Sequence, residues 1–188
     1  MKLKFRADKK DAMVVGMIDY GTCSIDKVIP KEKSFLDGIR VIFKKHIMNE
    51  ALDFCSQIKA LGYKVFVQAV SVTSYNDEEF AMLLKRVNEV KPYAFSIVDT
   101  YGLLHKNQLI HYFKMADCGL VEEISLGYHS HNNFQLGYAN CIELVEKKIK
   151  RQLLLDGSLY GMGKGAGNTP IELLAMYMHE NYGKTLPV

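Results

Sequence analysis

The feature that most constrains this chain is an alternation of short apolar runs with longer stretches of helical periodicity. About six such pairs lie along the 188 residues. The runs are apolar at nearly every position, which is typical of parallel strands buried on both faces. Repeated strand–helix units of this kind predict an α/β domain built around a parallel sheet. The predicted strands are Ala12–Asp19, Gly38–Phe43, Lys64–Val70, Tyr93–Asp99, Glu123–Tyr128 and Gln152–Asp156.

The helices between these strands are predicted from apolar residues at three- and four-residue spacing. Asn76 is placed to cap one of them, and Glu79 three residues later completes a capping-box pair. Gly62 is placed to end a helix, and Thr169 to cap the start of another. The predicted helices are Met48–Leu61, Asp77–Val90, Lys106–Met115, Phe134–Lys148 and Pro170–Tyr182.

Composition and charge exclude several classes of protein. The sequence is 48% hydrophobic and 24% charged, as in ordinary soluble globular proteins. Its net charge of +3 is small, and its lysines are spread among acids, so nucleic acid is not an expected partner. No apolar run approaches the ~20 residues that a membrane-spanning helix needs. We therefore expect a single domain over residues 1–188 with no membrane partner.

The cysteines favour a cytoplasmic location. They have no CxxC spacing, and no apolar export signal follows the basic start of the chain. Free thiols in a reducing cytoplasm are therefore expected in preference to disulfides or a zinc cluster. The four residues are Cys23, Cys55, Cys118 and Cys141.

The sharpest local signal is a His-x-His pair in the run GYHSHNN, residues 127–133, where the fifth predicted strand ends. Residues two apart on a strand project to the same face, so His129 and His131 can aim both imidazoles at one point. The carboxyl ends of strands form the active-site face of a parallel β/α array. Two neutral imidazoles suit a divalent cation, with oxygen ligands in the remaining positions. The alternative is a chance pair, with one ring packed and the other in solvent.

A second signal is the glycine-rich run DGSLYGMGKGAGN, residues 156–168, after the last predicted strand. It is not a P-loop, because glycine follows Lys164, and it does not fit the dinucleotide-binding GxGxxG pattern. Repeated glycine indicates backbone in unusual conformations or lying close against a ligand. Gly163 and Gly165 are therefore candidate substrate contacts, and a flexible loop is the alternative.

Together the two runs resemble a known family. GYHSHNNFQLGYANCIELVE and DGSLYGMGKGAGNTPIELL are similar to the end of the barrel in aldolase and Claisen-condensing metalloenzymes. These include 4-hydroxy-2-oxovalerate aldolase, isopropylmalate synthase and hydroxymethylglutaryl-CoA lyase, and the GMGKGAGN form is most similar to the first. The upstream run YAFSIVDTYG, residues 93–102, resembles an earlier strand end of the family, so the resemblance covers most of Ala12–Asn181.

The resemblance implies roles for several residues. It makes His129 and His131 metal ligands and Asn168 a further ligand or close neighbour. Asp99 and Thr100 would line the substrate pocket, and a structural role at the strand end is the equal alternative. Two further asparagines would either orient the imidazoles or cap the following helix, and these are Asn132 and Asn133. The sequence does not identify which residue moves the substrate proton. The candidates are His46, His105, His111, Tyr101 and Tyr160.

The resemblance also implies a parallel (β/α) TIM-barrel fold, of which this chain holds about six of eight units. Family members begin with a strand ending in a T-L-R-D-G-like motif, which supplies a carboxylate to the metal and an arginine to the substrate. Nothing in Met1–Ala12 matches this motif. The chain is also short against the roughly 250 residues of a complete barrel. We therefore predict an incomplete barrel that lacks its first two units, and we expect its open edges to favour a homo-oligomer.

The implied function is that of a carbon–carbon lyase, an aldolase dependent on a divalent metal such as Mn²⁺, Mg²⁺ or Zn²⁺. Its substrate would be a small 2-oxo acid, for example a 4-hydroxy-2-oxo acid, cleaved through a metal-stabilised enolate. Two alternatives stay open. One is a truncated or degenerate barrel with no activity of its own, and the other is a relative of the acyl-CoA-condensing synthases.

Overall fold

Six parallel strands form one sheet in chain order in the computed structural model, which describes residues 12–147, 149 and 151–184. Every neighbouring pair is parallel. The strands are β1 Val15–Asp19, β2 Gly38–Phe43, β3 Lys64–Ala69, β4 Ala94–Asp99, β5 Ser125–Ser130 and β6 Leu153–Leu155. The helices are α1 Met48–Ala60, α2 Asp77–Val90, α3 Lys106–Gly119, α4 Gly137–Glu146 and α5 Ile171–Tyr182. The predicted parallel α/β architecture is confirmed.

One face of the sheet carries the hydrophobic core. Val41, Val67 and Ile97 are fully buried and belong to one cluster with side chains of the surrounding helices, including Leu52 of α1 and Leu83 of α2. Alternate residues of a strand point to opposite faces, so the residues between these core positions line the other side of the sheet. That other side carries at least one charged or polar residue on each of β2, β3 and β4.

The polar face is the inner wall of a curved sheet. Arg40 of β2 makes two hydrogen bonds to the carboxylate of Asp156, which follows β6, at 2.7 and 3.1 Å. In a flat sheet, β2 and β6 would lie about 19 Å apart, because neighbouring strands are spaced by about 4.8 Å. These two side chains meet only because the sheet curves round toward a barrel. The described residues thus form an open, incomplete barrel of six strands.

The predicted capping residues are confirmed at two helix ends. The Asn76 side chain accepts from the Glu79 amide at 2.9 Å, and the Glu79 carboxylate accepts from the Asn76 amide at 2.9 Å, which is the predicted capping box. Gly62 follows α1 with a φ of +91°, a conformation that favours glycine. Both features depend on residues three or four apart, which is why the sequence alone predicts them.

The prediction that Thr169 caps the start of α5 was wrong. Thr169 is fully buried, and its hydroxyl lies 2.9 Å from that of Ser130 on β5, so it ties the glycine-rich loop to the sheet. Pro170 stands at the helix start without a side-chain cap. The predicted start of the fourth helix at Phe134 was also early, because residues 132–136 form a turn before α4 begins at Gly137.

All four cysteines are free thiols, as predicted. Cys55 and Cys141 are buried, and burial raises the pKa of each to about 12, so neither is a nucleophile at neutral pH. Among the described residues, none of the helices has the length and apolar character required to cross a lipid bilayer.

Candidate metal centre

His129 and His131 lie together at the carboxyl end of β5. Their ring centroids are 5.5 Å apart, with the ring planes at 75° to each other. The strand continues to Ser130, so the two histidines keep the two-residue spacing that points both side chains to one side. The structure therefore brings the two predicted ligands together on the face where parallel strands end.

Each imidazole is held through its Nδ1 atom. His131 Nδ1 lies 3.0 Å from the Lys164 carbonyl oxygen, which only accepts hydrogen bonds, so this nitrogen carries the proton. His129 Nδ1 lies 3.1 Å from an oxygen of Asp156. When both Nδ1 atoms donate, both Nε2 lone pairs are available to a cation, which is the usual way that such ligands are oriented.

Asp156 is an ionised acceptor for His129. Burial acts to raise the pKa of this carboxyl, but the hydrogen bond from His129 and the charge of Arg40 outweigh it and hold the pKa below its usual value. The Asp156 side chain is 16% exposed and that of Arg40 is 27% exposed. Solvent therefore screens the pair only in part, and Asp156 stays negative at neutral pH.

The polar network continues from Asp156 across the inner wall. The Gln68 side chain of β3 donates to Asp156 at 3.4 Å and to the Ser96 hydroxyl of β4 at 3.5 Å. Gln68 and Ser96 are buried. Sequence reasoning missed this network. Its signal was visible as a charged residue in the run GIRVIF and an amide in KVFVQA, both of which are otherwise apolar strands. Such residues on buried strands mark a face that does not pack against helices.

Asn168 supplies a buried oxygen without a protein partner. A backbone bridge pairs Asn168 with His131, and the Asn168 amide group donates to the Met162 carbonyl at 3.1 Å. Its Oδ1 atom is buried and has no hydrogen-bond donor in the described structure. Leaving such an acceptor unsatisfied costs about 1–3 kcal/mol, and a cation would remove that cost. Asn168 thus has an open acceptor oxygen, as a third ligand requires, and its role as a metal ligand stays a prediction.

The donor set consists of neutral groups. Across residues 12–147, 149 and 151–184, no group of three His, Cys, Asp or Glu side chains is arranged to hold a metal ion. The two imidazoles and the Asn168 amide oxygen would therefore hold a cation without a carboxylate ligand from these residues. Met1–Ala12, whose sequence does not match the T-L-R-D-G-like motif, lies almost wholly outside the described residues.

The glycine-rich loop fits tightly around Asn168. A Cβ atom at Gly163 would lie 2.7 Å from Asn168 Nδ2, and one at Gly167 would lie 2.1 Å from the Gly161 carbonyl oxygen. Gly165 has a φ of +68° and would place its Cβ 3.3 Å from Asn133 Oδ1. These glycines allow the backbone to pack closely enough to set the position of Asn168. A contact of Gly163 or Gly165 with substrate stays a prediction.

Asp99 and Thr100 are held by backbone groups. The buried Asp99 carboxylate accepts from the amides of Leu103 and Leu104, each at 3.0 Å. Burial raises the pKa of Asp99 although these amide bonds oppose the rise. The Thr100 hydroxyl accepts from the Ser71 amide at 2.7 Å. Both residues thus have the structural role that was the alternative, and their contact with substrate stays a prediction.

Neither asparagine after the histidines bonds to an imidazole. The Asn132 side chain accepts from the Gly137 amide at 3.0 Å and so caps the start of α4. The Asn133 side chain donates to the Tyr101 carbonyl at 2.7 Å and accepts from the Ala166 amide at 3.1 Å. Imidazole orientation falls instead to Asp156 and the Lys164 carbonyl.

The five candidates for proton transfer lie in different parts of the structure. His111 pairs with Asp77 at 2.8 Å on the exposed side of α3, as expected for a surface residue. The His105 ring packs on Phe134 with centroids 5.4 Å apart. Tyr160 is 87% exposed. His46 and Tyr101 both border one cavity at the strand ends, which keeps them near the face of the candidate metal centre.

Gly102 offers a test of how the histidine loop is held. Its φ is +60°, and a Cβ there would lie 2.5 Å from the His131 carbonyl oxygen and 2.6 Å from the Asn133 amide nitrogen. We expect Gly102→Ala to displace this backbone, lower stability and weaken Mn²⁺ binding about tenfold or more, as loss of a supporting contact does. Urea unfolding and calorimetry measure the two effects.

Gly21→Ala is the matched control. Gly21 also has a positive φ, +96°, but no atom lies within 4 Å of an added Cβ. This variant carries only the cost of the left-handed backbone, about 1–2 kcal/mol. Equal losses of stability in the two variants, with Mn²⁺ affinity unchanged in both, would show that Gly102 does not position the His131 loop.

Comparison with known protein families gives one family model, described as HMGL-like, that matches residues 9–185. Among curated proteins, the chain is 28% identical over 140 residues to an oxaloacetate decarboxylase from Mycobacterium tuberculosis, covering 74% of this chain and 40% of that protein. It is 47% identical over 55 residues to a 4-hydroxy-2-oxovalerate aldolase from Alkalilimnicola ehrlichii, covering 29% of this chain and 15% of that protein. The matched region is thus less than half the length of either relative.

Solved structures show the same fold. A hydroxymethylglutaryl-CoA lyase from Pseudomonas aeruginosa superposes with a TM-score of 0.72 at 14% identity, covering 95% of this chain and 66% of that chain. An HMG-CoA lyase from Bacillus subtilis gives a TM-score of 0.70 at 15% identity, covering 95% and 73%. At these identities the match supports the TIM-barrel type of fold and leaves the chemistry to be argued from the site.

Proposed function

This chain belongs to the HMGL-like family, and from that premise we propose that it acts in the divalent-metal-dependent cleavage of a carbon–carbon bond in a 2-oxo acid. The single observation that carries the proposal is the pairing of His129 and His131 at the carboxyl end of β5, with Asn168 joined to His131 by a backbone bridge and its Oδ1 atom left without a donor in the described structure. A 4-hydroxy-2-oxo acid is the substrate that we propose, in keeping with the names of several relatives.

The proposed reaction is a retro-aldol cleavage. The bond between the hydroxyl-bearing carbon and the neighbouring methylene breaks, and the hydroxyl proton leaves to a base as the aldehyde forms. The electron pair of the broken bond enters the 2-oxo group to give the enolate of pyruvate, which then takes up a proton on carbon. A bound divalent cation supplies a Lewis acid for the 2-oxo acid, an effect worth several kcal/mol.

The residues of this chain hold and orient the site. His129 and His131 would bind the cation through Nε2, because Asp156 and the Lys164 carbonyl keep the protons on Nδ1. The Asn168 Oδ1 atom would provide the oxygen ligand. The base that accepts the hydroxyl proton is not assigned, and His46 and Tyr101 are the candidates that border the strand-end cavity.

A second candidate function is that of a degenerate barrel without activity of its own. The observation that favours it is the absence of a carboxylate from the donor set of the described residues. Two imidazoles and one amide leave the charge of a dication unneutralised, so the affinity of the site for the cation would fall.

The unpaired sides of β1 and β6 in the described sheet support self-association, since proteins cover or pair such edges.

The deciding experiment measures metal binding and turnover on the same preparation. We expect the EDTA-treated chain to bind Mn²⁺ in calorimetry and to release pyruvate from 4-hydroxy-2-oxovalerate only after Mn²⁺ is returned. Lactate dehydrogenase and NADH report the pyruvate. An absence of pyruvate, with Mn²⁺ binding weak or undetectable, would support the degenerate barrel. Pyruvate release that is unchanged by EDTA would overturn the metal-dependent mechanism.

A further inference from the structure

The strand-end cavity that His46 and Tyr101 border opens on the same face of the barrel as the candidate metal centre. It has a volume of about 720 Å³, within the usual range for small-molecule sites. We name it the β2–β4 pocket, because the segments that follow these three strands line it. Its lining includes Lys44, Lys45 and His46 after β2, Ser71 and Thr73 after β3, and Tyr101 after β4.

The β2–β4 pocket has a positive lining with hydroxyl groups. No aspartate or glutamate is among its lining residues, whereas two lysines and a histidine are. Lys45 already donates to the Ser74 carbonyl at 2.9 Å and pairs with Glu79. Within the described part of the chain, Lys44 is exposed and no hydrogen bond or ion pair engages its ammonium group. The pocket therefore offers an uncompensated cation to a ligand.

The pocket is joined to the candidate metal centre through residues 100–102. The Thr100 hydroxyl holds the Ser71 amide on the pocket side, at 2.7 Å. The Tyr101 carbonyl holds the side chain of Asn133, two residues beyond His131, also at 2.7 Å. Gly102 packs directly against the His131 backbone. The two sites therefore share one loop on one face of the barrel.

The backbone of Ser71 also points to this face. Ser71 has a φ of +56° and a ψ of +53°, a left-handed conformation that is unfavourable for a side-chain-bearing residue. The bond from its amide to Thr100 helps to keep it there. Strained backbone of this kind concentrates at binding and catalytic sites. In this chain the left-handed residue lies in the segment after β3, of which residues 71, 73 and 74 line the cavity.

We propose that the β2–β4 pocket binds a second anionic group, a carboxylate or a phosphate, on the molecule whose 2-oxo acid end lies at His129 and His131. The inference rests on the proposed function and names its substrate class, a 4-hydroxy-2-oxo acid that carries a further negative charge at its far end. Lys44 supplies the charge, and the Ser71 and Thr73 hydroxyls supply donors. Cleavage then leaves the second anion on the aldehyde product.

The first test needs no catalytic activity. Inorganic phosphate, and malonate in a parallel titration, are added to the ¹⁵N-labelled chain in EDTA, and amide shifts are followed by NMR. We expect the shifts to centre on residues 44–46 and 71–74, and Lys44→Gln to weaken phosphate or malonate binding about tenfold, the size of one hydrogen bond to a charged group. Lys44→Arg should retain binding.

Lys114→Gln is the matched control, since Lys114 is an exposed lysine on α3 away from the pocket lining. It should bind as wild type does. If Lys44→Gln binds both anions as tightly as wild type, or if the shifts centre elsewhere, the inference is overturned. Phosphate binding without malonate binding assigns the pocket to a phosphate, and the reverse assigns it to a carboxylate.

The second test compares two substrates. 4-Hydroxy-2-oxoglutarate carries the second carboxylate, and 4-hydroxy-2-oxovalerate lacks it. We expect wild type to favour the diacid in kcat/KM, and Lys44→Gln to reduce that preference about tenfold. An equal loss on both substrates would overturn the inference. Failure to cleave either substrate would count against the proposed function, while the anion titration would still decide the role of the pocket.

Discussion

His129→Ala is expected to weaken Mn²⁺ binding by at least about 100-fold. Altering residues that merely orient a ligand already costs about 10- to 100-fold in metal affinity, and this change removes one of the two imidazoles themselves. With only neutral donors in the described set, the remaining ring and amide cannot compensate. Isothermal titration calorimetry or the Mn²⁺ electron paramagnetic resonance signal gives the affinity, and His131→Ala should behave alike.

His111→Ala is the matched control for this prediction. His111 is the same residue type, but it lies on the exposed side of α3 with only Asp77 as its partner. Its removal should leave Mn²⁺ binding unchanged and alter stability by less than about 0.5 kcal/mol. If His129→Ala and His111→Ala bind Mn²⁺ equally well, the cation does not sit at the paired histidines, and the candidate metal centre is wrong.

Asp156→Asn is expected to lower the free energy of unfolding by about 2–4 kcal/mol. The change leaves the Arg40 guanidinium without the carboxylate that it contacts through two hydrogen bonds. Breaking a fully buried pair costs about 3–5 kcal/mol, and the partial exposure of these two side chains reduces that figure. Because the amide also holds His129 less well, Mn²⁺ affinity should fall by about 10- to 100-fold.

Glu143→Gln makes the same chemical change in a surface ion pair. Glu143 pairs with Lys106, whose side chain is 58% exposed, so its loss should cost no more than about 1 kcal/mol. Urea unfolding of the two variants and wild type measures the difference. A similar small cost for both substitutions would mean that the Arg40–Asp156 contact across the barrel contributes little to the stability of the domain.

Local patterns predicted much of this molecule. The order of six strands and five helices, the capping box at Asn76 and Glu79, and the glycine turn at Gly62 all follow from spacings of a few residues. The His129 and His131 pair is local in the same sense, because side-chain alternation on one strand places both rings on one side. The resemblance to metal-dependent aldolases and lyases agrees with the HMGL-like family model.

One error occurred where a residue is used by a distant part of the chain. Thr169 has the side chain of a helix cap, yet it bonds to Ser130 on β5. For Asn132 and Asn133 the sequence leaves two roles open, imidazole support or helix capping, and in the structure Asn132 caps α4 while Asn133 joins two loops. Their residue types were compatible with either role, and only the arrangement of loops in space selects between them.

The sequence by itself determined the alternating β/α order, the paired histidines at a strand end and the glycine-rich run, because each depends on interactions between near neighbours. Only the tertiary structure decided that Arg40 reaches Asp156 across 116 positions of the chain, that Asp156 orients His129, and that a cavity lies at the ends of β2 to β4. The physical reason is the curvature of the sheet, which results from the packing of the whole domain and brings together side chains that no local spacing relates.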